Sequence, residues 1–150
     1  MIIDISAYAK GRELPALKKD EFNNILLKGA TRDAINTYAY MLIKALRLSP
    51  EHYAIYAVSF DGPSTEESVG YGKRRDYLKR MREIDKTIKA GEDKRRVVLC
   101  VLGLDNVDPK WKKGYCELAK LAEAGHKGGC HLIATASSPI DPALEKHFAD

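Results

Sequence analysis

The residues best placed to do chemistry form the stretch Gly29-Ala30-Thr31-Arg32-Asp33-Ala34-Ile35-Asn36-Thr37, which follows an apolar run, Asn24 to Lys28, and precedes a helical pattern running from Tyr38 to Leu46. Strand, turn and helix in that order are the setting of a phosphate-binding loop, whose pattern is G-x-x-x-x-G-K-[ST]. In such a loop the second glycine lets backbone N–H groups wrap the phosphates, the lysine neutralises them and the hydroxyl ligates magnesium. Here Gly29 keeps the first position, while Ala34, Ile35 and Asn36 stand at the three positions that carry the chemistry. Alanine brings a Cβ where glycine permits close backbone approach, and isoleucine has no charge to set against a phosphate. Arg32 is the one cation within the stretch. Loop arginines are loosely constrained, so solvent is the preferred destination for its side chain and the loop the alternative.

Two other segments end in polar residues that belong at the same edge of a sheet. The run Val98 to Leu104 is apolar and ends at Asp105-Asn106, the form of a Walker B strand, where an acid beside the phosphate loop holds magnesium through water. Asparagine at position 106 cannot take a proton as a catalytic glutamate would. Taken alone, Asp105 and Asn106 read more simply as an Asx turn before Pro109. The run His131 to Ala136 leads into Ser137-Ser138-Pro139, where Ser137 can hydrogen-bond a terminal phosphate. Taken alone, Ser137 reads as a cap or turn before Pro139 and Asp141-Pro142.

The elements that must position these residues alternate in type. Continuous apolar runs predict strands at Asn24 to Lys28, Tyr53 to Phe60, Val97 to Leu104 and His131 to Ala136, in the style of buried parallel strands. Amphipathic segments between them predict helices from about Asp33 to Leu48, Arg74 to Lys89 and Lys112 to Ala124. The first ends before Pro50, because a residue preceding proline is pushed out of the α region. The third runs out through Gly125-His126-Lys127-Gly128-Gly129. The alternation is that of βαβ units around a mainly parallel sheet flanked by helices. Gly62 to Gly72 is the longest stretch without a pattern.

With 150 residues, 45% of them hydrophobic, the chain suffices for one domain with its own core. Its net charge of +4 is a mild excess that says little about nucleic acid. Three cysteines, Cys100, Cys116 and Cys130, show no C-x-x-C spacing, which favours reduced thiols in a cytoplasmic setting over disulfides or zinc. No apolar run reaches the roughly 18 residues of a membrane span, and the first residues lack the pattern of a signal peptide. In the segment Lys73 to Lys89, Leu78, Met81, Ile84, Ile88 and Tyr77 make an apolar stripe, while Arg75, Lys79, Arg82, Lys86 and Lys89 make a basic face. That face suits a nucleic-acid backbone or, more simply, solvent, with Asp76, Glu83 and Asp85 partly neutralising it. The eight tyrosines are dispersed and do not form a stacking platform.

Taken together, the pieces resemble the FtsK/SpoIIIE/HerA family of P-loop motors over nearly the whole chain. Leu118 to Pro139, LAKLAEAGHKGGCHLIATASSP, is similar to the family's helix of the type L-A-R-x-G-R-A-x-G-I-H-L leading into a strand and A-T-Q-R-P or T-A-N-R-P. Leu48-Ser49-Pro50-Glu51 and the following strand to Asp61-Gly62 resemble S-P-E-E-L, a strand and D-x-x-G. Leu104-Asp105-Asn106-Val107-Asp108 is similar to the I-D-N-Y-D form of Walker B in the tandem ATPase domains of the type VII secretion motor (EssC/EccC/YukB-like), whose later domains are often degenerate. The resemblance implies a RecA-like P-loop domain, shortened at its C-terminal end, with Ile35 at the loop lysine, Asn36 at the loop hydroxyl, Asn106 at the catalytic glutamate and Ser137 at the sensor position. Asp105 is the implied magnesium ligand. The implied function is a catalytically degenerate ATPase domain, with ATP and magnesium binding weak or absent. It would act through contacts with other FtsK-like ATPase domains or with a secreted substrate peptide. Its implied location is the cytoplasm, at the inner face of the membrane if it belongs to a larger motor. The alternative is a working ATP-dependent translocase of DNA or protein.

Overall fold

A computed structural model of the chain describes residues 1–7, 24–60, 68–69, 74–92, 94–126 and 130–149. Six strands form one sheet: β1 (Ile2–Asp4), β2 (Asn24–Lys28), β3 (Tyr53–Ser59), β4 (Ser68–Val69), β5 (Arg96–Leu102) and β6 (Cys130–Thr135). Their spatial order is β1-β2-β6-β5-β3-β4, and every neighbouring pair is parallel. The helices are α1 (Arg32–Arg47), α2 (Arg74–Ala90), α3 (Lys112–His126) and the single turn α4 (Pro142–Glu145). The expected parallel α/β architecture is therefore present. The four anticipated strands and three anticipated helices lie within two residues of their expected ends.

The differences have simple causes. β1 and β4 are three and two residues long, too short to show a period. The strand expected to reach Leu104 stops at Leu102 because Gly103 turns the backbone left-handed, at φ 75° and ψ 46°, and Leu104–Asn106 close a 3-10 turn. The Gly103 N–H is received by the Thr135 hydroxyl at 2.9 Å, pinning the end of β5 to β6. Of the unpatterned stretch from 62 to 72, only Ser68 and Val69 are described; Asp61-Gly62, Lys73 and the exit Lys127 to Gly129 lie outside the described residues.

Each face of the sheet has its own core layer. Ile35, Ala39 and Ile43, spaced by four along α1, pack in a cluster with Ile25, Leu27, Cys100 and Ile133. Tyr77, Leu78, Met81 and Ile84 of α2 and Leu118, Leu121 and Ala122 of α3 belong to the opposite layer, with Leu26, Leu99, Val101 and Leu132. Alternate residues of β2, β5 and β6 thus face alternate layers. The apolar stripe expected on α2 is the buried one, with Ile88 half-buried at its end.

A buried asparagine at the start of β2 ties that strand to α3, to β6 and to the C-terminal turn. Asn24, 2% exposed, donates from Nδ2 to the carbonyls of Ala122 at 2.8 Å and His147 at 3.1 Å, and its Oδ1 accepts the Leu132 N–H at 3.2 Å. A Cβ on Gly125 would lie 2.0 Å from that same Oδ1, so the close approach of α3 requires glycine there. Cys100 and Cys130 are buried, which pushes both thiols up to about 12, whereas Cys116 on α3 is exposed.

Candidate functional site at the carboxyl edge of the sheet

In open parallel sheets, ligands collect where adjacent strands send the chain to opposite faces. β2 and β6 are hydrogen-bonded neighbours. The chain leaves β2 into α1 on one face, and leaves β6 toward Leu144 and Phe148, which are buried in the layer of the other face. The carboxyl edge between them carries Gly29 to Thr31 on one side and Ala136 to Ser138 on the other, with Asp105 one strand further along. All three sequence-predicted segments therefore meet at a single edge.

Most of the positions expected to form a phosphate loop fall within the first helix. α1 starts at Arg32, so only Gly29, Ala30 and Thr31 separate it from β2. Arg32, Asp33, Ala34, Ile35, Asn36 and Thr37 are already helical. Thr31 is the N-cap: its hydroxyl accepts the Ala34 N–H at 3.3 Å and its carbonyl accepts the Ile35 N–H at 3.0 Å. The first-turn amides that a phosphate would seek are thus partly spent on a cap. Asp33 adds a carboxylate to the first turn, where it complements the positive end of the helix dipole. Ile35, at the lysine position, is 1% exposed within the α1 core layer. The Thr37 hydroxyl donates back to the Asp33 carbonyl at 2.8 Å. Arg32 lies at an exposed position.

One residue that sequence reasoning did not single out stands over the turn. Gly29 has φ +88°, and a Cβ there would fall 1.9 Å from Oδ1 of Asp4, at the end of β1. The Asp4 carboxylate is held by the Ser6 hydroxyl at 2.5 Å and the Ser6 N–H at 3.0 Å. These two bonds, the hydroxyl first, hold its pKa below the usual carboxylate value, with the Lys28 ammonium contributing less. A fixed negative charge therefore lies against the Gly29 turn. The available sequence signal was an acid closing a short apolar run, Ile2-Ile3-Asp4.

Asp105 and Ser137 are brought together directly. The Ser137 N–H donates to Asp105 Oδ1 at 3.3 Å and its hydroxyl to Oδ2 at 3.1 Å. Both oxygens of the expected magnesium ligand thus tie the end of β5 to the end of β6. The Asx turn expected at Asp105 and Asn106 lies instead at Asp108, whose Oδ1 accepts the Lys110 N–H at 2.9 Å. That bond first, and then the Arg74 guanidinium 3.0 Å away, hold the Asp108 carboxyl below its ordinary range. Asn106 is exposed, and its amide donates to the Phe60 carbonyl at 3.4 Å. The cap expected from Ser137 belongs to Asp141, which accepts the Ala143 N–H at 2.8 Å with Pro142 at the first helical position.

Among the described residues, no group of three or more His, Cys, Asp and Glu side chains is placed to hold a metal ion. No helix among them is long and apolar enough to cross a membrane. A cavity of about 490 Å³, lined by Arg47, Pro50, Tyr53, Ala54, Ile55, Tyr56 and Arg95, opens at the amino end of β3, away from the Gly29, Asp105 and Ser137 edge. Comparison with known proteins gives no match: no family model, no curated protein and no solved structure is significantly similar to this chain.

Proposed function

We propose that this chain is a RecA-like P-loop domain without catalysis, akin to a degenerate domain of an FtsK/SpoIIIE-type or type VII secretion motor, that acts through protein contacts at the carboxyl edge of its sheet. The observation that carries the reading is the start of α1 at Arg32, which leaves a three-residue turn where a phosphate cradle needs a longer loop. The neighbourhood of β2, β6 and β5 supports this reading, since the segments that follow these strands, read as loop, sensor and acid positions, leave the sheet at adjacent places. Asp4 and Asp33 at the edge oppose a bound polyphosphate. The surface left there is exposed and mixed in charge, with Thr31, Arg32, Asn106, Pro109, Ser137 and Pro139 all accessible. Its partners on this reading are active FtsK-like ATPase domains or a secreted substrate peptide.

The test combines steady-state phosphate release and calorimetric titration with magnesium-ATP. No turnover and little heat are expected. Magnesium-dependent turnover that disappears in Asp105→Ala would overturn the reading. The contact role predicts a monomer in light scattering that binds an active FtsK-like domain, with Arg32→Glu weakening capture and leaving the melting temperature unchanged.

A further inference from the structure

We infer that the outer face of α2 is a binding surface for the phosphate backbone of a nucleic acid. The first ground is the distribution of charge. α2 carries seven Lys and Arg against three Asp and Glu, so this one helix holds an excess equal to the whole chain's +4 and the rest of the chain is balanced. A mild average thus conceals a local concentration, and local concentration sets the potential a polyanion meets.

The second ground is how those cations are deployed. Arg74 is directed to Asp108 at 3.0 Å and to the Trp111 ring, with 5.7 Å to its centroid; Arg80 is turned inward over Tyr56 at 5.2 Å. Neither belongs to the outer stripe. Arg75, Lys79, Arg82, Lys86 and Lys89 do, at alternating steps of four and three residues that keep them on one side of the helix. Among the described residues, Lys79 and Lys86 are exposed with no ion-pair partner, and Arg75 pairs with Asp76 alone, at 4.0 Å, from a side chain 76% exposed. Lys89 pairs with Asp85 at 3.0 Å. Arg82, together with Lys120 of α3, lies 3.5 Å from the buried Glu117 carboxylate, so it is anchored toward the α3 side of the stripe. Asp76 and Glu83 lie beside the stripe.

The stripe from Arg75 to Lys89 is about 21 Å long at 1.5 Å per residue, the axial length of roughly six base pairs. A line of charge of this kind matches a linear polyanion. An anionic membrane is the weaker fit, because a surface-seeking helix inserts its apolar face, and here Tyr77, Leu78, Met81 and Ile84 are already in the core. The inference rests on charge placement alone and stands whether or not the carboxyl edge binds nucleotide.

The experiment is fluorescence anisotropy of the whole chain with a labelled 20-base-pair duplex and a 20-nucleotide oligothymidine. About four phosphate contacts predict a slope of log affinity against log salt near −3.6 on the duplex, a loss of roughly 150-fold between 50 and 200 mM salt, with no preference among duplex sequences. Arg75→Glu, Lys79→Glu and Lys86→Glu together should remove binding at 50 mM salt. The matched triple Lys44→Glu, Lys94→Glu and Lys146→Glu, with the same net charge, should weaken it less than threefold. Circular dichroism melting is the check that each variant is folded, and Lys79→Ala with Lys86→Ala, expected to weaken binding at least tenfold, replaces the triple reversal if that one is not. Equal weakening by both triples, binding of phosphatidylserine vesicles without binding of either oligonucleotide, or no binding at 50 mM salt each overturns the inference.

Discussion

Placing at position 35 the lysine that a phosphate loop needs, Ile35→Lys, is expected to destabilise the domain strongly and to supply no chemistry. Ile35 is 1% exposed and lies in the same core layer as Ile25, Leu27, Cys100 and Ile133. Removing its branched side chain from that layer costs about 2 kcal/mol in lost apolar burial. A lysine held there loses hydration, so its folded pKa drops below the unfolded value; a depression of two to three units adds about 3–4 kcal/mol at neutral pH. The sum, about 5–6 kcal/mol, is a third or more of the 5–15 kcal/mol that stabilises a typical domain. Urea unfolding followed by circular dichroism should show a much lower midpoint, with Ile35→Ala falling between the variant and the parent. The pH dependence gives the cause. Between the depressed folded pKa and the unfolded one, the unfolded chain binds the extra proton, so the stability of Ile35→Lys should rise relative to the parent as pH increases toward 10. An Ile35→Lys protein as stable as the parent at pH 7, and able to bind magnesium-ATP, would refute the view that this position is core.

Gly29→Ala should cost about 2–3 kcal/mol, because it combines a positive φ with a Cβ driven into Asp4; adding Asp4→Ala should recover the steric part, and thermal melts that show the two changes to be simply additive would disprove the contact. Asp105→Ala should lose about 1 kcal/mol by urea unfolding, from two hydrogen bonds to Ser137 at an edge open to water, and no loss in either Asp105→Ala or Ser137→Ala would deny the clamp. The carboxyl groups of Asp4 and Asp108 should titrate below the ordinary 3.8. Because their folded values are depressed, the stability they contribute is present above the unfolded value and lost as pH falls through the folded ones; carboxyl NMR titrations with midpoints at or above 4 would contradict the hydrogen bonds assigned to them.

Much of the fold was legible because buried strands and amphipathic helices are encoded locally. Asn24 to Lys28 is apolar over a strand's length and matches β2 residue for residue, and the α2 stripe of Tyr77, Leu78, Met81 and Ile84 reads directly as a helical period. β1 and β4 escaped notice for want of length. The site was legible by position but not by bonding. The strand ends expected at Lys28, Leu104 and Ala136, and found at Lys28, Leu102 and Thr135, could be placed at one edge from the alternation of elements. That Thr31 caps α1 while Asp105 binds Ser137 is another matter: the first choice is between cap and loop on the same few residues, and the second joins positions 32 apart. Asp4 was missed for the same reason, since nothing in residues 2–6 reveals which turn lies beside them.

The three cysteines give this chain a built-in set of reporters. Cys116 is exposed on α3, one residue before the Glu117 that anchors Arg82 and Lys120, while Cys100 and Cys130 lie inside on β5 and β6 with thiols raised to about 12. A maleimide dye should therefore attach at one position in the native protein, close to the basic helix, without any cysteine being engineered. Alkylation of the other two must wait for the central strands to separate. The lag between first and later modifications, read by mass spectrometry, would time the opening of the sheet in the unaltered molecule.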